Sequence, residues 1–271
     1  MVKNRGRRFG RWPPLCRGNE SVITSREKYP SECGPQAHRS RSSNGCAKLA
    51  PGAMITTVIF DLDGLLADTE PLHCRAYQET LHLEGVTLTE SEYSEHWVRE
   101  GKGIGDWLAR HGLSLDPLVI RQKKSKRYLE LLPSMLRPMN GGLELLETLR
   151  STKTLVLASS SYRDAVDGVL AGLNIAHYFK AVVSGLDVPR VKPAPDIFLA
   201  AACLVGASPS ECVVLEDAEK GIIAAHRAGM HCIAVPTDYT RHHDFSQATL
   251  VCSSLSEITV DLINAFGIGN E

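Results

Sequence analysis

No stretch of this 271-residue chain approaches the roughly 18–20 consecutive apolar residues that a membrane-spanning helix needs. No membrane partner is expected. The eight cysteines (Cys16, Cys33, Cys46, Cys74, Cys203, Cys212, Cys232 and Cys252) form no Cys-x-x-Cys pair. That removes the usual zinc and dithiol redox motifs. Cys212, Cys232 and Cys252 sit in apolar runs and read as small buried hydrophobes. A reducing cytoplasm is the compartment expected of such a set. No internal repeat is visible. Charge of one sign is also lacking: the formal net charge is −1. It is unevenly spread, with 11 Lys and Arg against 3 Asp and Glu in residues 1–53, so +8, and 19 against 28 in the rest, so −9. A mildly acidic body argues against nucleic acid as the working partner.

Residues 1–53 have no sustained apolar period. They hold Pro13, Pro14, Pro30, Pro35 and Pro51 among many Gly, Ser and Arg residues. The composition predicts a disordered basic extension. It has no apolar core of a secretory signal, but its Arg- and Ser-rich, acid-poor character leaves an organellar transit peptide open. Alternatively Met54 is the true start, since the first strand begins directly after it.

What is present is carried by four short segments. The apolar run Ile55 to Phe60 reads as a buried strand. It ends in Asp61-Leu62-Asp63, and Gly64 then breaks it. In open α/β sheets, ligands bind beyond the carboxyl ends of strands. Two carboxylates there repel unless a cation compensates them, and Mg2+ suits hard oxygen ligands. One carboxylate can serve as nucleophile and the other as proton carrier. A loop that merely caps the next helix would also carry such acids. The second segment, Leu155 to Ser161, is an apolar strand ending in Ser159, Ser160 and Ser161. Hydroxyls and free N–H groups at a helix start suit a phosphate oxygen, and a plain N-cap by Ser160 or Ser161 explains them too. In the third, Val191-Lys192-Pro193-Ala194-Pro195, prolines stiffen the loop around one lysine. The fourth, Cys212 to Gly221, is a strand ending in Glu216-Asp217. Small and apolar residues at Ala218, Gly221, Ile222, Ala225 and Ala228 then follow helical spacing.

Taken together, Phe60-Asp61-Leu62-Asp63-Gly64 and the three later segments, in this order, resemble the motifs of the haloacid dehalogenase superfamily. The extension through Asp68-Thr69-Glu70-Pro71-Leu72-His73 is similar to the branch holding β-phosphoglucomutase and small sugar-phosphate phosphatases. The resemblance runs from about Met54 to the C-terminus. It implies that Asp61 is the nucleophile and Asp63 the general acid and base. Ser159, with Ser160 beside it, and Lys192 would contact phosphate. Asp61, the backbone carbonyl of Asp63 and Asp217 would hold Mg2+, with Glu216 at or just outside the metal shell.

The alternation of strands (153–158, 181–184, 211–216, 231–235, 249–252) with helical stretches predicts a doubly wound, Rossmann-like parallel sheet. The core is expected to span 54–70 and 141–271. Residues 71–140 lack strand-like runs, and Leu72, Ala76, Tyr77, Thr80 and Leu81 keep helical spacing. In the family this insert is a cap domain over the site. By resemblance His73 matches a cap-linker histidine, and Gly101, Lys102 and Ile104 lie in a substrate-facing cap segment. Ile104 stands where the mutase has a phosphate-gripping arginine, which weighs against mutase activity. The expected function is therefore a Mg2+-dependent phosphatase of a small phosphorylated metabolite, acting as a monomer. The alternative is a β-phosphoglucomutase-like phosphomutase. A third reading, a non-catalytic binding module, is opposed by the intact Asp61, Asp63, Lys192 and Asp217. His242-His243-Asp244 resembles a metal cluster in composition only and is read as an exposed loop.

Overall fold

The computed structural model describes residues 23–24 and 53–267. Among these, seven strands form one parallel sheet: β1 (Ile23–Thr24), β2 (Thr57–Phe60), β3 (Thr154–Ala158), β4 (Ala181–Val183), β5 (Cys212–Glu216), β6 (His231–Ala234) and β7 (Leu250–Val251). Their order across the sheet is β1-β4-β3-β2-β5-β6-β7. The β1 strand comes from the basic extension, where no element was expected, and pairs with Ala181 and Val182 at the sheet edge. The remainder of the extension lies outside the described residues.

All four residues of β2 are buried, as a central parallel strand requires. Strands β3 and β4 follow on one side of it, and β5, β6 and β7 on the other. The reversal between β2 and β5 is a topological switch point, where such sheets open a crevice. Phe60 pairs with Leu215, so Asp61 and Glu216 are the next residues on adjacent strands.

Between β2 and β3 the chain builds a helical insert: α1 (Glu70–His82), α2 (Glu90–Tyr93), a π-helical turn (Ser94–Arg99), α3 (Ile104–Arg110) and α4 (Pro117–Met135). Helix α1 is two-faced. Leu72 and Ala76 join the main core, whereas Cys74, Tyr77 and Leu81 pack with Tyr93, Ile104, Trp107 and Ile120 in a separate apolar cluster. Tyr128, Leu131 and Leu132 bring α4 into the main core in the same way. The insert is thus joined to the sheet by shared packing and not by a linker alone.

The pleat sends alternate strand residues to opposite faces. Val58 and Phe60 face α5 (Gly142–Leu149), α6 (Arg163–Gly172) and α9 (Val260–Ala265), and Ile59 faces α7 (Asp196–Leu204) and α8 (Glu219–Ala228). Small residues of α8 (Gly221, Ala224, Ala225, Ala228) are buried there. Cys212, Cys232 and Cys252 are buried free thiols, as is Cys74. No helix among the described residues is long and apolar enough to cross a membrane.

Candidate active site

Beyond the ends of β2 and β5, Asp61, Glu216 and Asp217 bring carboxylate oxygens within 4.8 Å of one another, and all three residues are buried. The Asp61 N–H donates to Leu215 O at 3.0 Å, fixing the end of one strand against the other. Lys192 enters from the loop before α7. Its ammonium donates to Asp61 and, at 2.6 Å, to Glu216 Oε1. The other oxygen of Glu216 accepts the N–H groups of Asp217 and Ala218, each at 3.0 Å. Two braces hold the Lys192 loop. Arg190 donates through both arms to Asp196 at 3.1 and 2.9 Å, and Arg227 donates to Pro193 O at 2.9 Å.

Two glycines allow this closeness. A Cβ on Gly64, whose φ is +84°, would come within 2.4 Å of Asp217 Oδ2. A Cβ on Gly221 would lie 1.8 Å from Glu216 Oε1. The small face of α8 read from the sequence therefore makes room for a carboxylate as well as for the sheet.

Three buried acids share one buried lysine, so two negative charges lack compensation if all ionise. Burial pushes the Asp61 carboxyl up to about 7, with Glu216 and Asp63 adding to the rise against the pull of Lys192. Burial likewise holds Asp217 well above the carboxylate range, aided by Glu216 and Asp61. Burial alone would neutralise Lys192, but Asp61 and Glu216 outweigh it and keep the ammonium charged. A divalent cation would supply the two missing charges, and an all-oxygen set is what Mg2+ takes. Asp61, Asp217 and Glu216 fit that group.

Asp63 is arranged differently. Its side chain is not part of this cluster and turns to hydroxyls. Thr69 Oγ1 donates to Oδ1 at 2.8 Å, and Ser159 and Ser161 donate to Oδ2 at 3.0 and 2.7 Å. His73 Nε2 lies 3.7 Å from Oδ1, and Lys124 Nζ is 2.5 Å from His73 Nδ1. Burial pushes Asp63 up, but His73 and the hydroxyls outweigh it and hold the carboxyl well below its usual range. Thr69 occupies the N-cap position of α1 without capping it, its hydroxyl being given to Asp63 instead. His73 stacks on Tyr128, ring centroids 4.4 Å apart.

These groups line a cavity of about 450 Å³ between sheet and insert. Its walls include Asp61, Asp63, His73, Ser160, Lys192, Glu216 and Asp217, as read from the sequence. Gly101 also lines it. Three expectations are corrected. Ile104 is fully buried in the apolar cluster of the insert and does not face the cavity. Lys102 does not line the cavity and pairs with Glu100 at 3.0 Å. Ser159 is fully buried and donates to Asp63, whereas Ser160 and Ser161 line the wall. Sequence reading missed Ser161, Glu70, Arg99 and His243 as wall residues. For Ser161 the signal was present, since the serine run leaves open which hydroxyl faces inward. Arg99 had none, because a π turn shifts the register of a helical wall.

A doubly wound sheet with a buried carboxylate–lysine cluster at its switch point, under a helical insert, defines an α/β enzyme of phosphoryl-transfer type. Residues 58–235 match the family model of haloacid dehalogenase-like hydrolases, and the chain belongs to that family. It is 32% identical over 184 residues to fructose-1-phosphate phosphatase YqaB of Escherichia coli, covering 66% of this chain and 95% of that protein. CbbY of Rhodobacter sphaeroides, solved in complex with xylulose-(1,5)bisphosphate, superposes with a TM-score of 0.70 at 28% identity, over 78% of this chain and 100% of that one. A β-phosphoglucomutase-like structure from Thermotoga maritima gives a TM-score of 0.62 at 25% identity, over 78% of this chain and 97% of that one.

Proposed function

We propose that the chain is a Mg2+-dependent phosphatase of small phosphorylated metabolites, chiefly sugar phosphates, working through an aspartyl-phosphate on Asp61. The observation that carries this reading is the shared cluster of Asp61, Lys192, Glu216 and Asp217 beside a separately held Asp63. Asp61, Asp217 and Glu216 would hold Mg2+, with the Asp63 backbone carbonyl completing the protein ligands. The ion would supply charge neutralisation of the phosphoryl oxygens.

Lys192 keeps a fixed positive charge at the same place, braced by the loop around it. Ser160 and Ser161, with the N–H groups that follow, orient the phosphate. An Asp61 oxygen bonds to phosphorus as the ester P–O bond breaks. The leaving oxygen takes its proton from Asp63. Water then attacks the acyl phosphate, gives a proton to Asp63 and frees Asp61. As it stands Asp63 is ionised, which is the form that activates water. To act as acid it must take up a proton as the substrate oxygen replaces the hydroxyls of Ser159 and Ser161.

A second reading, a β-phosphoglucomutase-like phosphomutase, is favoured by one observation: Arg99 lines the cavity. With Ile104 buried, the sequence argument against a second phosphate no longer holds. The β-phosphoglucomutase-like structure from Thermotoga maritima and the YqaB phosphatase stand for the two outcomes.

The test is a phosphate-release screen over many phosphomonoesters with Mg2+, run beside equilibration with hexose 1-phosphate and an assay for the 6-phosphate. Released phosphate supports the phosphatase, and isomerised ester without release supports the mutase. Asp61→Asn should lose several orders of magnitude in turnover and keep the fold. Substantial residual turnover in that variant would remove Asp61 as nucleophile.

A further inference from the structure

His243, in the run His242-His243-Asp244, takes no part in the chemistry above, yet it stands half-buried on the cavity wall. Its ring is held between two backbone groups. Nδ1 accepts the N–H of Glu219 at 3.3 Å, and Nε2 faces the carbonyl of Val98 at 3.3 Å. Glu219 opens α8, two residues after Asp217. Val98 lies in the π turn of the insert. Neither partner can change role, because an amide only donates and a carbonyl only accepts. One ring form satisfies both: neutral imidazole with its proton on Nε2. The two partners therefore set the tautomer, and the ring spans the gap between sheet half and insert.

The loop that presents His243 is built for one geometry. The Thr237 N–H donates to Thr240 Oγ1 at 2.9 Å, and the Arg241 N–H to Thr237 O at 2.9 Å. The His243 N–H donates to Thr240 O at 2.8 Å, and the Asp244 N–H reaches Glu219 Oε2 at 3.4 Å. The His243 to Val98 bond joins the π turn itself to the sheet half, while Tyr93 donates to Glu70 Oε2 at 2.6 Å at the start of α1. The insert also meets the sheet half away from the π turn, where α4 packs on α6 with Leu132 against Gly168 and where Leu72 and Ala76 of α1 join the main core.

We propose that His243 is a positioning residue that pins the π turn, and with it Trp97, Arg99 and Gly101, over the Asp61–Asp217 cluster. It never touches the phosphoryl group. It holds the far wall of the cavity at the distance a substrate needs. The proposal rests on the reading of this cavity as the substrate site, and its test has an arm that does not depend on turnover.

Two variants separate the bond from the bulk. His243→Phe keeps a flat ring and can make neither bond. His243→Gln carries an amide N–H that reaches the position of Nε2. In the full chain, amide hydrogen exchange of peptides covering 94–103 should speed up several-fold in His243→Phe, with β2 and β5 peptides unchanged. His243→Gln should stay near wild type. With a phosphomonoester found by the screen, KM should rise roughly three- to tenfold in His243→Phe, as for the loss of one or two hydrogen bonds, and kcat should change less. Unchanged exchange at 94–103 would overturn the proposal whatever the activity. Faster exchange with unaltered KM would refute a role for this bridge in substrate positioning. Absence of any phosphate release by wild type would instead count against the reading of the site.

Discussion

Ile104 and Arg99 show what one residue's placement decides. Ile104 is fully buried among Leu81, Trp107 and Ile120, whereas Arg99, five positions earlier, reaches the cavity wall and pairs with Glu95 at 3.1 Å. A guanidinium at position 104 would enter an apolar cluster without a partner. Ile104→Arg should therefore cost about 3–5 kcal/mol, the range for an uncompensated buried charge. Urea unfolding monitored by circular dichroism measures this. Preference between mono- and bisphosphates should not improve. A stable variant with tighter bisphosphate binding would place residue 104 in the cavity after all.

At the scale of elements, the junction of β5 with α8 is the tightest part of the site. Glu216 ends the strand, and its carboxylate lies against Gly221 one turn into the helix. The turn before the helix offers the Asp217 and Ala218 N–H groups to Glu216, the helix offers a small face, and the two acids follow each other where the strand ends. Gly221→Ala adds one methyl group where Glu216 Oε1 already stands. Glu216 must move, and Lys192 then loses one of its two carboxylate partners. The expected cost is about 1–3 kcal/mol of stability, as for overpacking elsewhere. Turnover should fall at least tenfold, since Lys192 is displaced with it. Denaturant midpoint and phosphate release, measured together, check this. Wild-type values for both would mean that Glu216 can move without consequence. The π turn acts on the same scale. It rotates the wall of the insert so that Trp97, Val98 and Arg99 all line the cavity.

For the whole molecule, the governing quantity is the uncompensated charge buried at the switch point. Asp61 is pushed up to about 7 and Asp217 well above its ordinary range, chiefly by burial. A carboxyl with a raised pKa binds its proton more tightly in the folded chain than in the unfolded one. Its stabilising contribution is thus present at low pH and is lost as pH climbs from the ordinary carboxylate value toward about 7 for Asp61. Without divalent metal, Tm should fall across that window. Mg2+ replaces the protons, so its stabilisation should grow from pH 5 to pH 8, with protons released on binding. Thermal melts with EDTA and with Mg2+ at both pH values, and calorimetry in buffers of different ionisation enthalpy, test this. Parallel melting curves and no proton release would mean that no divalent ion binds the cluster. Asp63 has the opposite sign. Its lowered pKa places its own window at more acid pH, below that of Asp61.

The sequence by itself determined every strand from β2 to β7, their parallel alternation with helices, and the positions of Asp61, Asp63, Lys192 and Asp217. Each of these follows from a local signal: an apolar run that stops at an acid, or a lysine between prolines. Burial of a central strand on both faces leaves no other pattern for Val58-Ile59-Phe60, so β2 was legible. Only the tertiary structure decided which side chains face the cavity. Ser159 and Ser161 differ by two residues in one loop, yet one is fully buried and the other lines the wall. Ile104 is sealed in the insert and Arg99, assigned no role from sequence, lines the wall, because a π turn breaks the helical period. His243 looked like an exposed loop histidine because its partners, Glu219 N–H and Val98 C=O, are backbone groups brought together from distant parts of the chain. A backbone amide or carbonyl carries no residue identity, so no pattern of letters marks where two of them will meet.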